Sequence, residues 1–537
     1  MPSSALRKLF HTSLLVSLTT IASAQSFRVQ CPTSTVTHPA TLTNVNAEPA
    51  YTGPTTYSTD ATGQYFKPSS NVNGAIKCQQ ISGGDGYATM GDGTQTYMFS
   101  FGPLSGVPDI AAGKPGTQFP NVFNTLYAGV GPVQPGYPNC DSNTSATYPN
   151  CASADPTYNG AIGLTPDIDA NGGAGTVGAP ITGHVDPRPI MDVGVMNGNI
   201  PAPLMAIDED DEFFLTLTNV GMIMRPDLFE QHTVHFHGYP NASSFYDGVP
   251  DASVAINIGG SFTYYYLAPD AGTYFWHCHI TPPEHLQMGM VGQLYVRPRQ
   301  DRVPANNTLY AGLQAQQRDP RTKCDSSDIL CSNPLPAINT GATGGGLYAY
   351  NDGDGSTRYD VEYPLQIHGF DPNFHFVGMT FNPEGFTDMK DKYFLLNGRS
   401  YPDTVTPGPL ATESVDGADH FSQPLPSIIN IKAGQKALLR ISDLDVTEFQ
   451  TLASLGIPMH VIALNAKLLR DQAGNNLAYD TNSITLGGGE SLDVILDASD
   501  TSKYQAGQVF YLYTPNLDHL SNDAENFGGL MTEVRIN

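Results

Sequence analysis

The sequence predicts an all-β protein, two β-sandwich units behind a long, loop-rich N-terminal extension. Three observations predict it. Charged residues make up only 14% of the chain, against about 25% in an average soluble domain. The 537 residues include 54 glycines and 42 prolines, which punctuate turns. Short runs of β-branched and aromatic residues recur between turn signals, with no long amphipathic helical pattern among them. A hydrophobic share of 40% suffices for sizeable cores at this length.

Residues 1–24 read as a signal peptide. Arg7 and Lys8 precede a moderately apolar run, Leu9 to Ile21, and Ala22-Ser23-Ala24 supplies a small-residue cleavage pattern before Gln25. The run is too short and too rich in Ser and Thr to span a bilayer, and no later membrane span follows. The mature chain is therefore expected to be soluble and secreted or periplasmic. Residues 25–93 are Thr-, Ser- and Gly-rich with little periodicity and read as a loop-rich extension. The first sandwich is expected over 94–300. Thr96–Phe101 is its first strand, and 103–185 is a Gly-, Pro- and Asn-rich insertion or partly ordered extension. Phe213–Asn219, His232–His237, Ser261–Leu267, Thr273–His279 and Gly292–Arg297 are its further strands. Residues 301–357 read as a linker, most flexible at Gly341–Gly346 and Asn351–Gly355. The second sandwich, 358–537, has expected strands at Lys392–Leu396, Ser427–Ile431, Lys436–Ile441, His460–Leu464, Ser491–Leu496, Val509–Tyr513 and Gly529–Ile536.

A net charge of −26 argues against nucleic acid and against an anionic membrane surface as partners. The seven cysteines fit an exported protein. Local spacing suggests the disulfides Cys140–Cys151 and Cys324–Cys331, leaving Cys31–Cys78 as the third, one of 15 possible connectivities for six cysteines. The odd one, Cys278, sits between two histidines.

The chemistry concentrates in two short segments. His232-Thr-Val-His235-Phe-His237-Gly238 holds three histidines, and Tyr274-Phe-Trp-His277-Cys278-His279 follows forty residues later, then His285 and Met290. Side chains alternate along a strand. His235 and His237 therefore share a face with His232 opposite, and His277 and His279 share a face with Cys278 opposite. If the two strands are neighbours, two sites form. One combines Cys278 and His232 with His285 and Met290, and Met288 competes for the last place. The other combines His235, His237, His277 and His279. A thiolate, two imidazoles and a weak thioether form the ligand set of a blue-copper electron-transfer site, and four imidazoles also suit copper.

This pattern resembles the multicopper oxidases and their two-domain relatives, including copper nitrite reductases. The resemblance implies two cupredoxin-like Greek-key sandwiches, the second with degenerate copper motifs. It implies that His232, Cys278, His285 and Met290 are type 1 copper ligands, His235 a type 2 ligand, and His237, His277 and His279 type 3 ligands. It also implies a small-molecule or metal-ion reductant, oxygen as electron acceptor, and a homotrimer. Three departures stand out. Six residues separate Cys278 from His285, with Thr281-Pro-Pro-Glu284 as a two-residue insertion relative to laccase-type oxidases. In the second unit Ile457-Pro-Met-His460-Val-Ile462 and Tyr513-Thr-Pro515 resemble the two histidine segments, yet only His460 of these falls on a cluster position, with Ile462, Tyr513 and Pro515 in the others. A nitrite reductase would have an Asp where His235 stands and a histidine where Pro515 stands. The reading is an exported copper oxidoreductase with a type 1 site and an incomplete type 2/type 3 cluster. A nitrite-reductase-like enzyme and a non-catalytic electron-transfer or copper-binding protein are the alternatives.

Overall fold

The computed structural model describes residues 29–59, 66–125, 161–164, 166–168, 180–185, 190, 196–197, 199–238, 243–268, 270–309, 344–378, 385–413, 419–471 and 473–537. The signal-peptide segment and the pairs Cys140–Cys151 and Cys324–Cys331 lie outside these residues.

The first sandwich is built from β1 (Ile76–Thr89), β2 (Gln95–Pro103), β3 (Met205–Asp208), β4 (Glu212–Gly221), β5 (His235–Phe236), β6 (Ser261–Leu267), β7 (Gly272–His277) and β8 (Val291–Arg297), with helix α1 (Pro282–Gln287) between the last two. One sheet runs β6-β4-β1-β2 and the other β5-β7-β8-β3. In β6 the alternation places Phe262, Tyr264 and Tyr266 in the core, packed with Phe213, Leu215 and Leu217 of β4 and with Trp276 of β7. Antiparallel register from Ser261↔Thr218 to Leu267↔Glu212 fixes that face.

The second sandwich contains β9 (Val361–Phe370), β10 (Tyr393–Leu396), β11 (Ile429–Ile431), β12 (Lys436–Asp443), β13 (Gln450–Leu455), β14 (Met459–Leu464), β15 (Ser483–Leu486), β16 (Ser491–Asp497), β17 (Val509–Tyr513) and β18 (Met531–Ile536). Its sheets run β10-β9-β12-β16-β14 and β11-β18-β17-β13-β15, around a core that includes Ile367, Leu439, Ile441, Leu452, Val494 and Val534. Pairing repeats that of the first unit. The parallel pair β1/β4 has its counterpart in β9/β12, and β3/β8 has its counterpart in β11/β18. Both units are cupredoxin-like sandwiches.

Three expectations are corrected. The first sandwich does not begin at residue 94. The 14-residue β1 lies inside the supposed extension and forms the middle of a sheet, parallel to β4 and antiparallel to β2. Its sequence, IKCQQISGGDGYAT, shows no alternation because it is buried on both faces, with Gln79, Gln80, Ser82 and Asp85 among its fully buried residues. Cys31 is tied to this strand by a disulfide to Cys78. Closing a loop of that sequence separation, 47 residues, stabilises the folded chain by about 4 kcal/mol on the chain-entropy account. The described part of the supposed linker is packed rather than flexible. Asn351 and Asp352 are buried, and the Asp352 carboxylate accepts hydrogen bonds from the Gly355 and Thr357 N–H groups at 2.9 and 2.7 Å. Finally, β5 is only two residues long. His232 sits in an isolated bridge to Ile256, and Cys278 and His279 lie beyond the end of β7.

The two sandwiches meet through β7 and β8 on one side and β9, β12 and β16 on the other. Thr273 Oγ1 donates to Asp493 Oδ1 at 2.6 Å, and Gln293 Nε2 donates to the Arg440 carbonyl at 3.0 Å. Glu362 accepts from both Arg297 and Arg440, at 2.8 and 3.0 Å. Buried pairs of this kind fix one relative placement rather than adding much stability.

Candidate metal centres

β5 and β7 are antiparallel neighbours with His235 opposite His277 and Phe236 opposite Trp276. The next bond of the ladder, His237 N–H to the Phe275 carbonyl at 2.8 Å, extends the pairing. This register sorts the histidines into two groups on opposite faces.

The first group lies in the core. Ligand atoms of His232, Cys278 and His285 fall within 4.8 Å of one another, and all three residues are fully buried. His285 Nδ1 is 3.3 Å and His232 Nδ1 4.0 Å from Cys278 Sγ. The Thr233 N–H points at the same sulfur at 3.4 Å. Met290 is buried beside the site. Its carbonyl accepts from the Cys278 N–H at 3.0 Å and its own N–H reaches the His285 carbonyl at 2.9 Å. Met288 is equally buried. The insertion Thr281–Glu284 forms the start of α1, led by Pro282, so the two extra residues are taken up by a helical turn that returns His285 to the sulfur.

Burial drives His232 well below its ordinary value. Burial also lowers His285, but the Cys278 sulfur and the Glu230 carboxylate outweigh it and raise that imidazole to about 9. Glu230 Oε2 lies 3.3 Å from His285 Nε2. Gly83 of β1 makes room for the site, since a Cβ there would sit 2.5 Å from the His232 ring.

The second group is the histidine quartet. His235, His237 and His277 bring ligand atoms within 4.8 Å of each other, and the His279 ring lies 5.1 Å from that of His235 and 5.5 Å from that of His277. Outer contacts fix the tautomers. His277 Nδ1 donates to the Cys278 carbonyl and His235 Nδ1 to the Asp247 carbonyl, both at 2.7 Å. The Nδ1 side of His237 faces the backbone of Gly489 from the second sandwich. The Nε2 atoms of His237 and His277 lie 2.9 Å apart, near enough to share a hydrogen or to face one cation. Burial lowers His277 to about 3 and His237 to about 4, so both are neutral, as a metal ligand must be. Both donor sets fit copper, one through thiolate and imidazole, the other through imidazole alone. Beside the quartet a cavity of about 400 Å³ opens between the sandwiches, lined among others by His237, His277, Asp445, Thr447, Glu448 and Gly489.

The topology corrects the reading of the second sandwich. The strand paired with β17 is β13, with Ala453 opposite Tyr513 as His235 is opposite His277. β14, which carries His460 and Ile462, lies in the other sheet. His460 is bonded to Asp480 at 2.8 Å and Ile462 fills a core cluster. The quartet's places are thus taken by Ala453, Leu455, Tyr513 and Pro515. A run of alternating apolar residues occurs in both β13 and β14, so sequence pattern alone could not choose between them. Sequence reasoning also missed Thr233, Glu230, Asp247 and Gly83. The first two lie close to His232 in the chain and the third precedes a glycine, but no residue pattern marks Gly83.

Residues 182–301 match the family model for multicopper oxidase. The chain is 36% identical over 139 residues to multicopper oxidase MmcO of Mycobacterium tuberculosis, a match covering 24% of this chain and 26% of that protein. It is 33% identical over 133 residues to multicopper oxidase MCE of Talaromyces pinophilus, covering 24% and 20%. The match thus spans about a quarter of the length of these relatives. A solved blue copper oxidase from Nitrosomonas europaea aligns with a TM-score of 0.41 at 22% identity, covering 64% of this chain and 79% of that one. The stretch that matches is the stretch that holds both histidine groups, and over residues 182–301 the chain is similar to a multicopper oxidase domain.

Proposed function

We propose that the protein is an exported copper-dependent oxidoreductase that takes electrons from a small-molecule or metal-ion reductant and reduces oxygen. Copper at a thiolate site supplies one-electron redox chemistry. The observation that carries the reading is the junction at Cys278. Its sulfur faces His232 and His285, its neighbours His277 and His279 belong to the quartet, and its carbonyl holds the His277 ring at 2.7 Å. The chain thereby provides two short routes between the groups, one along the backbone and one across that hydrogen bond. Met290 is the axial ligand in this reading, His235 the type 2 ligand, and His237, His277 and His279 the type 3 ligands.

Export is supported by the N-terminal segment and by the Cys31–Cys78 disulfide. Among the described residues no helix is long and apolar enough to cross a membrane. The nitrite-reductase-like alternative is disfavoured by His235 and Pro515. The electron-transfer alternative draws on Ala453, Leu455, Tyr513 and Pro515, which leave the quartet without histidine partners from this chain's second sandwich. Oxygen uptake with a phenolic, an aromatic-amine and a low-valent-metal reductant, combined with copper analysis per chain, tests the reading. Uptake with at least one reductant is the expected result. A blue protein that takes up none would establish the electron-transfer alternative.

A further inference from the structure

The four imidazoles of the quartet are not equivalent. Nδ1 of His235 and Nδ1 of His277 each face a backbone carbonyl at 2.7 Å, that of Asp247 and that of Cys278. A carbonyl only accepts, so in the neutral rings the hydrogen sits on Nδ1 and Nε2 offers a lone pair. His237 Nε2 lies 2.9 Å from His277 Nε2, and ligand atoms of His235, His237 and His277 all fall within 4.8 Å of one another. Donors round one small cation, with bonds of about 2.0–2.1 Å, stand about 3–4 Å apart. Three imidazoles are therefore gathered closely enough for a single coordination shell. His279 does not join that set, although its ring is 5.1 Å from the ring of His235.

A cluster of several ions finds too few donors here. The matching places of the second sandwich are Ala453, Leu455, Tyr513 and Pro515, and a neighbouring copy of the chain would present the same four. Among the described residues no further His, Cys, Asp or Glu joins the set of three. Two ions about 3.5–4 Å apart would divide four imidazoles into pairs, leaving each ion short of the three protein donors that a catalytic metal site keeps. One ion matches the donors present. His237 and His277 also line the cavity of about 400 Å³, so the set faces it. Phe275, Leu286, Leu444 and Phe449 give that cavity apolar wall, which suits a small nonpolar gas.

We propose that His235, His237 and His277 hold one copper ion within a single chain, that His279 stays outside its shell, and that the protein reduces oxygen by two electrons, to hydrogen peroxide. The proposal rests on the oxygen-reducing reading above and replaces its type 2 and type 3 ions with one. Copper at the thiolate site and copper at the three imidazoles supply two electrons at a time, one from each ion. Two one-electron oxidations of the reductant restore them. With a phenol, two phenols each lose a proton and an electron and become phenoxyl radicals. One oxygen molecule gains both protons and both electrons. Two O–H bonds form, the O–O bond order falls from two to one, and the O–O single bond stays intact. With a low-valent metal ion the electrons come from two such ions and the protons from water. Splitting the O–O bond to give two waters takes two more electrons and two more protons, and a chain with two metal ions has no store for those electrons.

Metal analysis and electron paramagnetic resonance of the oxidised, copper-loaded protein should find two ions per chain, both detected as independent spins. His235→Gln should lower the count to one and leave the blue absorption, whereas His279→Ala should keep both ions. A coupled, resonance-silent pair overturns the one-ion site, and so does a loss of copper in His279→Ala as large as that in His235→Gln. With a one-electron reductant that supports uptake, two equivalents should be oxidised per oxygen, and catalase added afterwards should return half of the oxygen consumed. His235→Gln should stop peroxide formation, which separates it from oxygen reduction by loosely held copper. Peroxide formed at an undiminished rate in that variant overturns the assignment. Four equivalents per oxygen, with nothing returned by catalase, overturn the peroxide product and leave the oxygen-reducing reading standing. If the wild type takes up no oxygen, that reading fails and the product with it, and the spin count still decides how many ions the imidazoles hold.

Discussion

In the first sandwich, β5 and β7 and the turn after them place His232, Cys278 and His285 in the core, with Glu230 against the outer nitrogen of His285. In the second, β13 and β17 and the turn after them place Gln450, Thr514 and His519 in the corresponding positions. His519 Nδ1 lies 2.9 Å from Gln450 Oε1, and His519 Nε2 lies 3.1 Å from Glu448 Oε2. Glu448 precedes Gln450 by two residues, as Glu230 precedes His232. Thr514 is fully buried where Cys278 stands. The second unit therefore has Gln450, Thr514 and His519 where the first has His232, Cys278 and His285, with Gln450 and His519 hydrogen-bonded to each other, and His519 is stacked on Phe394 at 3.8 Å. The fold tolerates either filling. What separates the candidate metal centre from a packed polar core is the identity of a few residues and the length of the turn that brings in the last histidine.

The largest effect that bears on this contrast is loss of the thiolate. Cys278→Ser should abolish the intense visible absorption of the copper-loaded protein and its oxidation of reductants, whereas Met290→Leu should keep the colour and raise the potential. A colourless wild type under copper loading would remove the contrast altogether. The converse experiment sharpens it. Gln450→His combined with Thr514→Cys should give the second sandwich a thiolate with two imidazoles, and in a Cys278→Ser background should restore blue absorption. No colour despite a folded double variant would show that the two frames differ in more than their ligands.

Copper content comes next. Among the described residues the second sandwich offers no histidine to the quartet, so copper analysis should find fewer ions per chain than the four of a complete oxidase. His237→Ala should lose the weaker copper and leave the blue absorption intact. Four ions in the wild type would mean that ligands come from elsewhere in the chain.

Smaller still is the effect of pH on the metal-free protein. His277 and His237 are held neutral down to about 3 and about 4, while in the unfolded chain they protonate near 6.5. Between about 4 and 6.5 the unfolded chain binds more protons, so these two groups contribute stability that is present above that window and is lost as pH falls through it. Thermal midpoints should drop across the window, and less so in a His237→Gln variant. Gly83→Ala should cost about 1–3 kcal/mol, because the new methyl meets the His232 ring. Denaturant titration checks this. Light scattering should show the homotrimer that the open quartet and the exposed Leu455 at the matching place favour.

The sorting of the histidines and Cys278 to two faces was legible from strand alternation, which the pairing of His235 with His277 continues across the two short strands. Ser261–Leu267 and Val509–Tyr513 were likewise read to the residue, as half-buried strands with clear turn signals. β1 was not legible, because a strand buried on both faces and rich in Gln, Ser and Gly carries neither alternation nor a hydrophobic run. β9 escaped for a related reason, since Pro364 interrupts it and its buried half includes Gln366 and His368. The acidic cluster of Asp391, Asp445 and Thr447 was invisible because Asp391 is distant in the chain from the other two and meets them only when the second sandwich folds.

Gln287 carries a consequence for anyone wishing to borrow the proposed blue-copper site. It ends the short helix that delivers His285, yet its carbonyl is held by His368, its amide oxygen by His375 and its amide nitrogen by Asp391. All three belong to the other sandwich. A truncated protein ending near residue 300 would keep every residue that faces the sulfur and lose the anchor of the loop that presents one of them. The portable unit for engineering is the pair of sandwiches, and transplanting the loop alone requires a new anchor for Gln287.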